Sequence, residues 1–313
     1  MILVTGGTGL VGAHLLVALV NNGKKVRAIH RASSDLEAVK NVFSYDTNKV
    51  ATLFNKIEWM IADITDINTL EAAFKNIEYV YHCAAYISFN PRHYPVLKKV
   101  NIEGTANVVN FCLTEGVKKL CYISSIATLG KTTDGSLSTE ETEFNPEEDN
   151  SVYAITKHEA EMQVWRGTQE GLDAIIVHPG VIIGEGVWSS ASGGIFRTIS
   201  KGLHYYTPGG VSIVDVKDVV KAMISLTTST IKNEAYILVA KNIYYKELLT
   251  KISDSLNKKP PNKTIAKWMM ISFVNLDWLL YKVFRIKRKL LKATVRSLYK
   301  TSFYDASKIK EVL

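Results

Sequence analysis

Met1-Ile-Leu-Val-Thr-Gly-Gly-Thr-Gly-Leu-Val-Gly12 runs directly into Ala13-His-Leu-Leu-Val-Ala-Leu-Val20. Ile2, Leu3 and Val4 form a short apolar run, long enough for a buried strand and too short for a helix. The segment after the glycines is apolar throughout and reads as a buried helix. Strand, glycine turn and helix in that order are the context of a dinucleotide-binding fingerprint. Each glycine has a mechanical use. One makes the tight turn, one removes a Cβ that would block a pyrophosphate, and one lets the helix pack closely on the sheet. Amide N–H groups at the helix start then face the phosphates, aided by the helix dipole. Gly6, Gly9, Leu10, Val11 and Gly12 are therefore candidate cofactor contacts.

Outward from this turn, Lys25 to His30 reads as a second strand. An acid at its end would hold the adenosine ribose 2′-OH and favour NAD. Arg31 stands there instead. A guanidinium cannot accept those hydroxyl hydrogen bonds but pairs well with a 2′-phosphate, so NADP(H) is expected in preference to NAD(H). A plain solvated loop charge is the alternative for Arg31. Ile57–Ile61, Glu78–His82 and Lys119–Ser125 read as further strands, and Pro91–Glu115 as one long helix. Strands alternating with helices at this spacing predict an α/β fold with a doubly wound parallel sheet.

The composition of the 313 residues is that of a globular protein, 47% hydrophobic and 22% charged. Three cysteines without C-x-x-C spacing fit a reduced, cytoplasmic setting and buried packing better than disulfides or a metal site. No secretory signal is expected, because the first apolar run lacks a basic flank and is broken by glycines. The net charge of +8 is local. Lys282, Arg285, Lys287, Arg288, Lys289, Lys292, Arg296 and Lys300 lie between Trp278 and Tyr304 with no acid among them. Taking those eight from 38 Lys+Arg leaves 30, against 30 Asp+Glu. No nucleic-acid-binding motif accompanies them, so a nucleic-acid partner is not expected. Trp268 to Phe284, just before most of these charges, is apolar nearly all round and is expected to be buried on its own domain or on a second subunit. A helix lying in a membrane interface is the alternative, giving a peripheral membrane contact.

Tyr153-Ala-Ile-Thr-Lys157 opens a helix after the polar Gly130–Asn150 loop. The i, i+4 spacing puts phenol and ammonium on one face. An ammonium close to the phenol, together with an oxidised nicotinamide, favours the phenolate, lowers its pKa and suits it to acid/base work. Ser125 ends the preceding strand, where its hydroxyl can hold a substrate oxygen beside Tyr153.

These pieces together resemble the extended short-chain dehydrogenase/reductase superfamily over nearly the whole chain. The matching motifs are Thr5-Gly-Gly-Thr-Gly-Leu-Val-Gly12, Asp63, His82-Cys-Ala-Ala85, Asn101-Ile-Glu-Gly-Thr105, Ser124-Ser125, Tyr153/Lys157 and His178-Pro-Gly180. The resemblance implies that Tyr153 is the general acid/base, that Lys157 holds the nicotinamide ribose, and that Ser125 orients the substrate oxygen. It further implies that Asn101 supports a proton-relay water and that Asp63 and Ile64 touch the adenine. Ala84, Ala85 and Pro179 would line the cofactor, and Tyr86, Phe89 and Trp188 an apolar substrate wall. Residues 1–180, with 212–240 returning to them, are expected to form the NADP-binding Rossmann domain. Residues 181–211 and 241–313 would form a smaller, mostly helical substrate-binding domain. Ile126-Ala127 after Ser125 lack the acid and base of sugar dehydratases, and Val181 stands where epimerases usually carry asparagine. The pattern is closer to dihydroflavonol 4-reductase and 3β-hydroxysteroid dehydrogenase relatives. It implies an oxidoreductase acting on a ketone/secondary-alcohol pair of an apolar or cyclic molecule. A nucleotide-sugar 4-epimerase is the alternative within the family, and a non-catalytic cofactor sensor the alternative outside catalysis.

Overall fold

The quoted stretch folds as β1 (Ile2–Thr5), a glycine turn and α1 (Leu10–Asn21) in a computed structural model that describes residues 1–132, 134–186, 191–285 and 291–313. β2 (Val26–His30), α2 (Leu36–Asp46), α3 (Val50–Phe54), β3 (Glu58–Ile61), α4 (Ile67–Phe74) and β4 (Tyr79–His82) follow. Next come α5 (Tyr94–Leu97), α6 (Gly104–Thr114), β5 (Lys119–Ile123), α7 (Val152–Gln169) and β6 (Ala174–Pro179). The C-terminal part holds β7 (Val181–Ile183), α8 (Ala191–Ser200), β8 (Tyr205–Tyr206), β9 (Gly210–Asp215), α9 (Val216–Thr228) and β10 (Glu234–Leu238). It ends with β11 (Lys241–Tyr244), α10 (Tyr245–Ser255), β12 (Lys263–Thr264), α11 (Lys267–Phe284), α12 (Lys292–Leu298) and α13 (Ser307–Val312).

Seven strands form one parallel sheet in the order β10-β6-β5-β4-β1-β2-β3. The strand order reverses direction at β1, where β4 lies on one side and β2 on the other. That switch point opens a crevice at the C-terminal strand ends, the usual ligand site of open α/β sheets. The strands are nearly continuous apolar runs because both faces are covered. Leu15, Leu16, Phe43, Val219 and Met223 fill one face, and Phe74, Val108, Cys112 and Val164 the other. Cys83, Cys112 and Cys121 are free thiols within this packing.

Three features differ from the sequence reading. The segment 212–240 does not return to the main sheet as a whole. Strands β5 and β10 occupy both sides of β6, so β9 has no place beside it. Instead β9 pairs with β7 and β11 in a separate three-stranded sheet, while β10 and α9 join the large layer. The single helix expected from Pro91 is divided: a 3-10 turn and α5 pass into a π-helical stretch, Lys98–Glu103, before α6. The wider turn places Asn101 inward, and π segments are common where a helix serves a site. Finally, α11 is not buried on the described residues of its own chain, the first of the two placements expected for it. Only Val274 of its residues is, whereas Trp268 is 70% and Phe284 67% exposed.

Candidate active site

Gly6 takes a left-handed conformation at φ +68°, and a Cβ there would lie 2.6 Å from the Ala84 amide nitrogen. The chain after β1 thus presses against the chain after β4. A hydrogen-bond relay fixes the two together. The Thr5 hydroxyl lies 2.7 Å from His82 Nδ1 and accepts the Ala84 N–H, while His82 Nε2 reaches Thr105 Oγ1 at 2.9 Å. Burial drives the His82 pKa down to about 3, so the ring is neutral. The neutral ring thus bridges the Thr5 and Thr105 hydroxyls, donating to one and accepting from the other.

Beyond this turn, α1 begins at Gly9 with no side chain capping it and no acid in its first turn. Its first N–H groups face a cleft of ≈ 1010 Å³ that runs along the C-terminal strand ends. A Cβ on Gly9 would meet only Gly6 O, at 3.4 Å, so the glycine leaves the approach to those amides open. Uncapped amides behind a glycine cradle fit a dinucleotide pyrophosphate. Gly6, Gly9, Leu10, Val11 and Gly12 line this end, with Arg31, Asp63, Ile64, Ala84, Ala85 and Pro179 farther along. Arg31 is exposed, and no acid among the described residues pairs with its guanidinium. The Asp63 carboxylate accepts from the Thr65 N–H and hydroxyl, both at 2.9 Å. Ile64 packs on Gly104, where a Cβ would come within 2.7 Å of it.

At the other end the first turns of α7 present Tyr153 and Lys157. Phe144 stacks on His158 at 4.3 Å and ties the preceding loop to this helix. The Tyr153 hydroxyl is bonded to Ser125, and its ring meets the edge of Phe89 at 5.7 Å. Ser124, by contrast, turns inward and donates to Glu161 at 2.5 Å. Tyr153, Ser125, Tyr86 and Phe89 all line the cleft. Trp188 lies outside the described residues.

The protein alone does not lower the pKa of the phenol. Its pKa is pushed up to about 12, because burial disfavours the phenolate more than the Ser125 hydrogen bond favours it. Lys157 does not offset this. Its Nζ donates to the Tyr122 hydroxyl at 2.6 Å and to the Ile123 carbonyl at 2.7 Å, toward β5. Burial takes Lys157 itself down to about 7, against the upward pull of Glu161. The i, i+4 spacing therefore puts both groups on one helix face without bringing the ammonium to the phenol.

Asn101 is the one expected catalytic residue that does not line the cleft. It is buried, accepting the Tyr86 N–H at 2.8 Å and donating to the Tyr86 carbonyl and Thr156 Oγ1 at 3.0 and 3.3 Å. It clamps the substrate-side loop to the helix of Tyr153.

Sequence reading missed the layer beneath these residues. Glu161 accepts from Ser124, from Thr128 at 2.9 Å and from His178 Nε2 at 2.9 Å. Burial works to raise its pKa, but the imidazole and both hydroxyls outweigh that and hold it below the usual carboxylate range. Glu161 stands four residues after Lys157, so the helical period was the available signal. Tyr122 carried none, being one aromatic in an apolar strand.

A switch-point cleft with a glycine cradle at one end and a Ser/Tyr/Lys constellation at the other defines a dinucleotide-dependent enzyme of the short-chain dehydrogenase type. The chain belongs to the NAD dependent epimerase/dehydratase family, whose model matches residues 2–238. It is 27% identical to a Synechocystis sp. protein named "Putative dihydroflavonol 4-reductase", covering 99% of this chain and 88% of that one. It is 28% identical to sterol demethylase protein B of Methylococcus capsulatus, over 86% of this chain and 78% of that one. The crystal structure of gox2253 superposes with a TM-score of 0.81 at 28% identity, covering 99% of this chain and 91% of that one.

Proposed function

We propose that the protein is an NADP(H)-dependent oxidoreductase interconverting a ketone and a secondary alcohol on an apolar, ring-containing molecule. The observation that carries this reading is the Tyr153–Ser125 pair facing aromatic side chains inside the cleft. The bound nicotinamide supplies or accepts the hydride. Ser125 holds the substrate oxygen, and Tyr153, which keeps its proton at neutral pH, donates it to that oxygen during reduction. Phe89, Tyr86 and Ile87 give the substrate side an apolar wall. Residues 1–180 with the α9–β10 return hold the dinucleotide, and the remainder shapes the substrate end. Asn101 is a positioning residue here, since its amide is engaged by Tyr86 and Thr156.

Relatives named for a dihydroflavonol and a sterol support a polycyclic substrate. The test is NADPH absorbance against a panel of polycyclic ketones, with UDP-sugars assayed for epimerisation in parallel. Turnover of UDP-sugars alone would overturn the reading.

Cofactor preference follows from Arg31. Arg31→Ser is expected to weaken NADPH by about 1–3 kcal/mol, the loss of a charge-assisted hydrogen bond, and to leave NADH nearly unchanged. Titration of both cofactors into both proteins measures this; equal affinities in the unsubstituted protein would refute it.

Lys157 gives a proton-linked prediction. With its pKa near 7, a sizeable fraction of the side chain is neutral at neutral pH. Bringing phosphate charge into the cleft favours the ammonium, so its pKa rises and NADPH binding takes up protons. Calorimetric binding enthalpies in buffers of different ionisation heat would reveal the uptake. Lys157→Met should remove it, and proton release on binding would contradict it.

A further inference from the structure

Helix α11 presents an apolar surface that nothing among the described residues covers. Its less exposed residues are Met269 near the start and Met270, Val274, Asp277 and Tyr281, the last four at intervals of four, three and four, which form the seam toward the protein. Tyr281 anchors that seam, since Arg92 donates to its hydroxyl at 2.6 Å and lies 5.0 Å from its ring centroid. Away from the seam, Trp268, Ile271, Phe273, Leu276, Trp278, Leu279, Leu280, Val283 and Phe284 are all exposed. At about 100° per residue these side chains fan over roughly 240° of the helix.

We infer that α11 docks in the interface of an anionic lipid bilayer. Two observations select this occupant. The first is the width of the apolar arc. A packed protein neighbour covers a stripe of about 100°, which would leave most of these side chains in water. A fluid hydrocarbon boundary covers them all. The second is charge. Lys282 and Arg285 close the helix and Lys292 begins the next one, within a run from Trp278 to Tyr304 that contains no acid. Long cationic side chains at the end of an apolar helix reach back to headgroups, and tryptophans such as Trp268 and Trp278 favour that depth. No helix among the described residues is long and apolar enough to cross a membrane, so α11 lies along the surface. The Tyr281–Arg92 contact joins it to the segment of Phe89, the residue packed on Tyr153. On the proposed reading of the substrate, which this one consequence rests on, docking sets the cleft beside the phase where apolar substrates dissolve.

The full chain is to be sedimented with phosphatidylcholine vesicles, with and without phosphatidylserine, at low and high salt. Binding is expected with the phosphatidylserine vesicles at low salt and should fall about tenfold or more at high salt. A Trp278→Ser/Leu279→Ser/Phe284→Ser variant and a Lys282→Glu/Arg285→Glu variant should each lose it. These are exposed positions, so circular dichroism and dinucleotide binding should stay unchanged and exclude misfolding. The inference is overturned by absence of binding, by binding that survives the triple substitution, or by equal binding to uncharged vesicles. A dimer that the triple substitution converts to monomer, without vesicle binding, would also overturn it and assign the face to a second copy. None of these outcomes depends on turnover, so failure of the ketone assay stays distinguishable.

Discussion

Tyr153→Phe is expected to lower kcat for ketone reduction by about 10²–10⁴-fold, the usual worth of a positioned acid. The ring contact with Phe89 survives the substitution, and only the Ser125 hydrogen bond and the transferable proton are lost. Binding of NADPH should therefore persist, which separates this variant from one that damages the cradle. The environment adds a direction. Burial keeps the phenol protonated up to about 12, so reduction should not decline through Tyr153 ionisation as pH rises through the neutral range. Oxidation needs the opposite state, and the phenolate becomes accessible only when positive charge arrives near it. Single-turnover rates in both directions across pH measure this. Near-full activity of Tyr153→Phe with the true substrate would show that another group moves the proton.

The dinucleotide half of the molecule is legible from sequence because its signals are local. A four-residue apolar strand, glycines at fixed offsets and an all-apolar helix restrict the backbone to one arrangement, and the alternation of later strands and helices extends the same sheet. Tyr153 and Lys157 are legible for the same reason, since i, i+4 spacing is a property of any helix. The direction in which Lys157 points is not local. It is decided by Tyr122 and Ile123 on a strand more than thirty residues away, whose oxygens satisfy a buried ammonium. Asn101 is similar. Its motif is visible, but the π turn that aims it at Tyr86 and Thr156 leaves no mark in hydrophobic period. The destination of β9 depends on β10 filling the sheet position beside β6, a competition between strands that neither sequence reveals alone. For α11 the apolar count is plain in the sequence. Burial on its own domain is one of the two placements that count suggests, and it is not realised because the described residues supply only a narrow seam for the helix to rest on.

The glycine cradle yields the second large effect, and two neighbouring substitutions divide it. At Gly12 an added Cβ would stand 2.2 Å from Gly6 O and 2.9 Å from Gly7 Cα. Those are backbone atoms, and Gly6 is itself wedged against Ala84, so none of them can swing aside as a side-chain tip would. The turn must deform. Gly12→Ala should cost about 1–3 kcal/mol of stability, the range for overpacking a tight site, and should abolish dinucleotide binding with it. At Gly9 the same methyl would meet one atom at 3.4 Å, an ordinary contact for the free protein. Its direction is toward the open approach to the α1 amides, where the pyrophosphate must come close. Gly9→Ala should accordingly leave the melting temperature nearly unchanged while weakening both NADPH and NADH. Thermal unfolding alone and with each cofactor measures both quantities. If Gly12→Ala melted like the native protein and kept its affinity, the packing of this turn would be other than described. If Gly9→Ala bound both cofactors normally, the pyrophosphate would not rest on these amides.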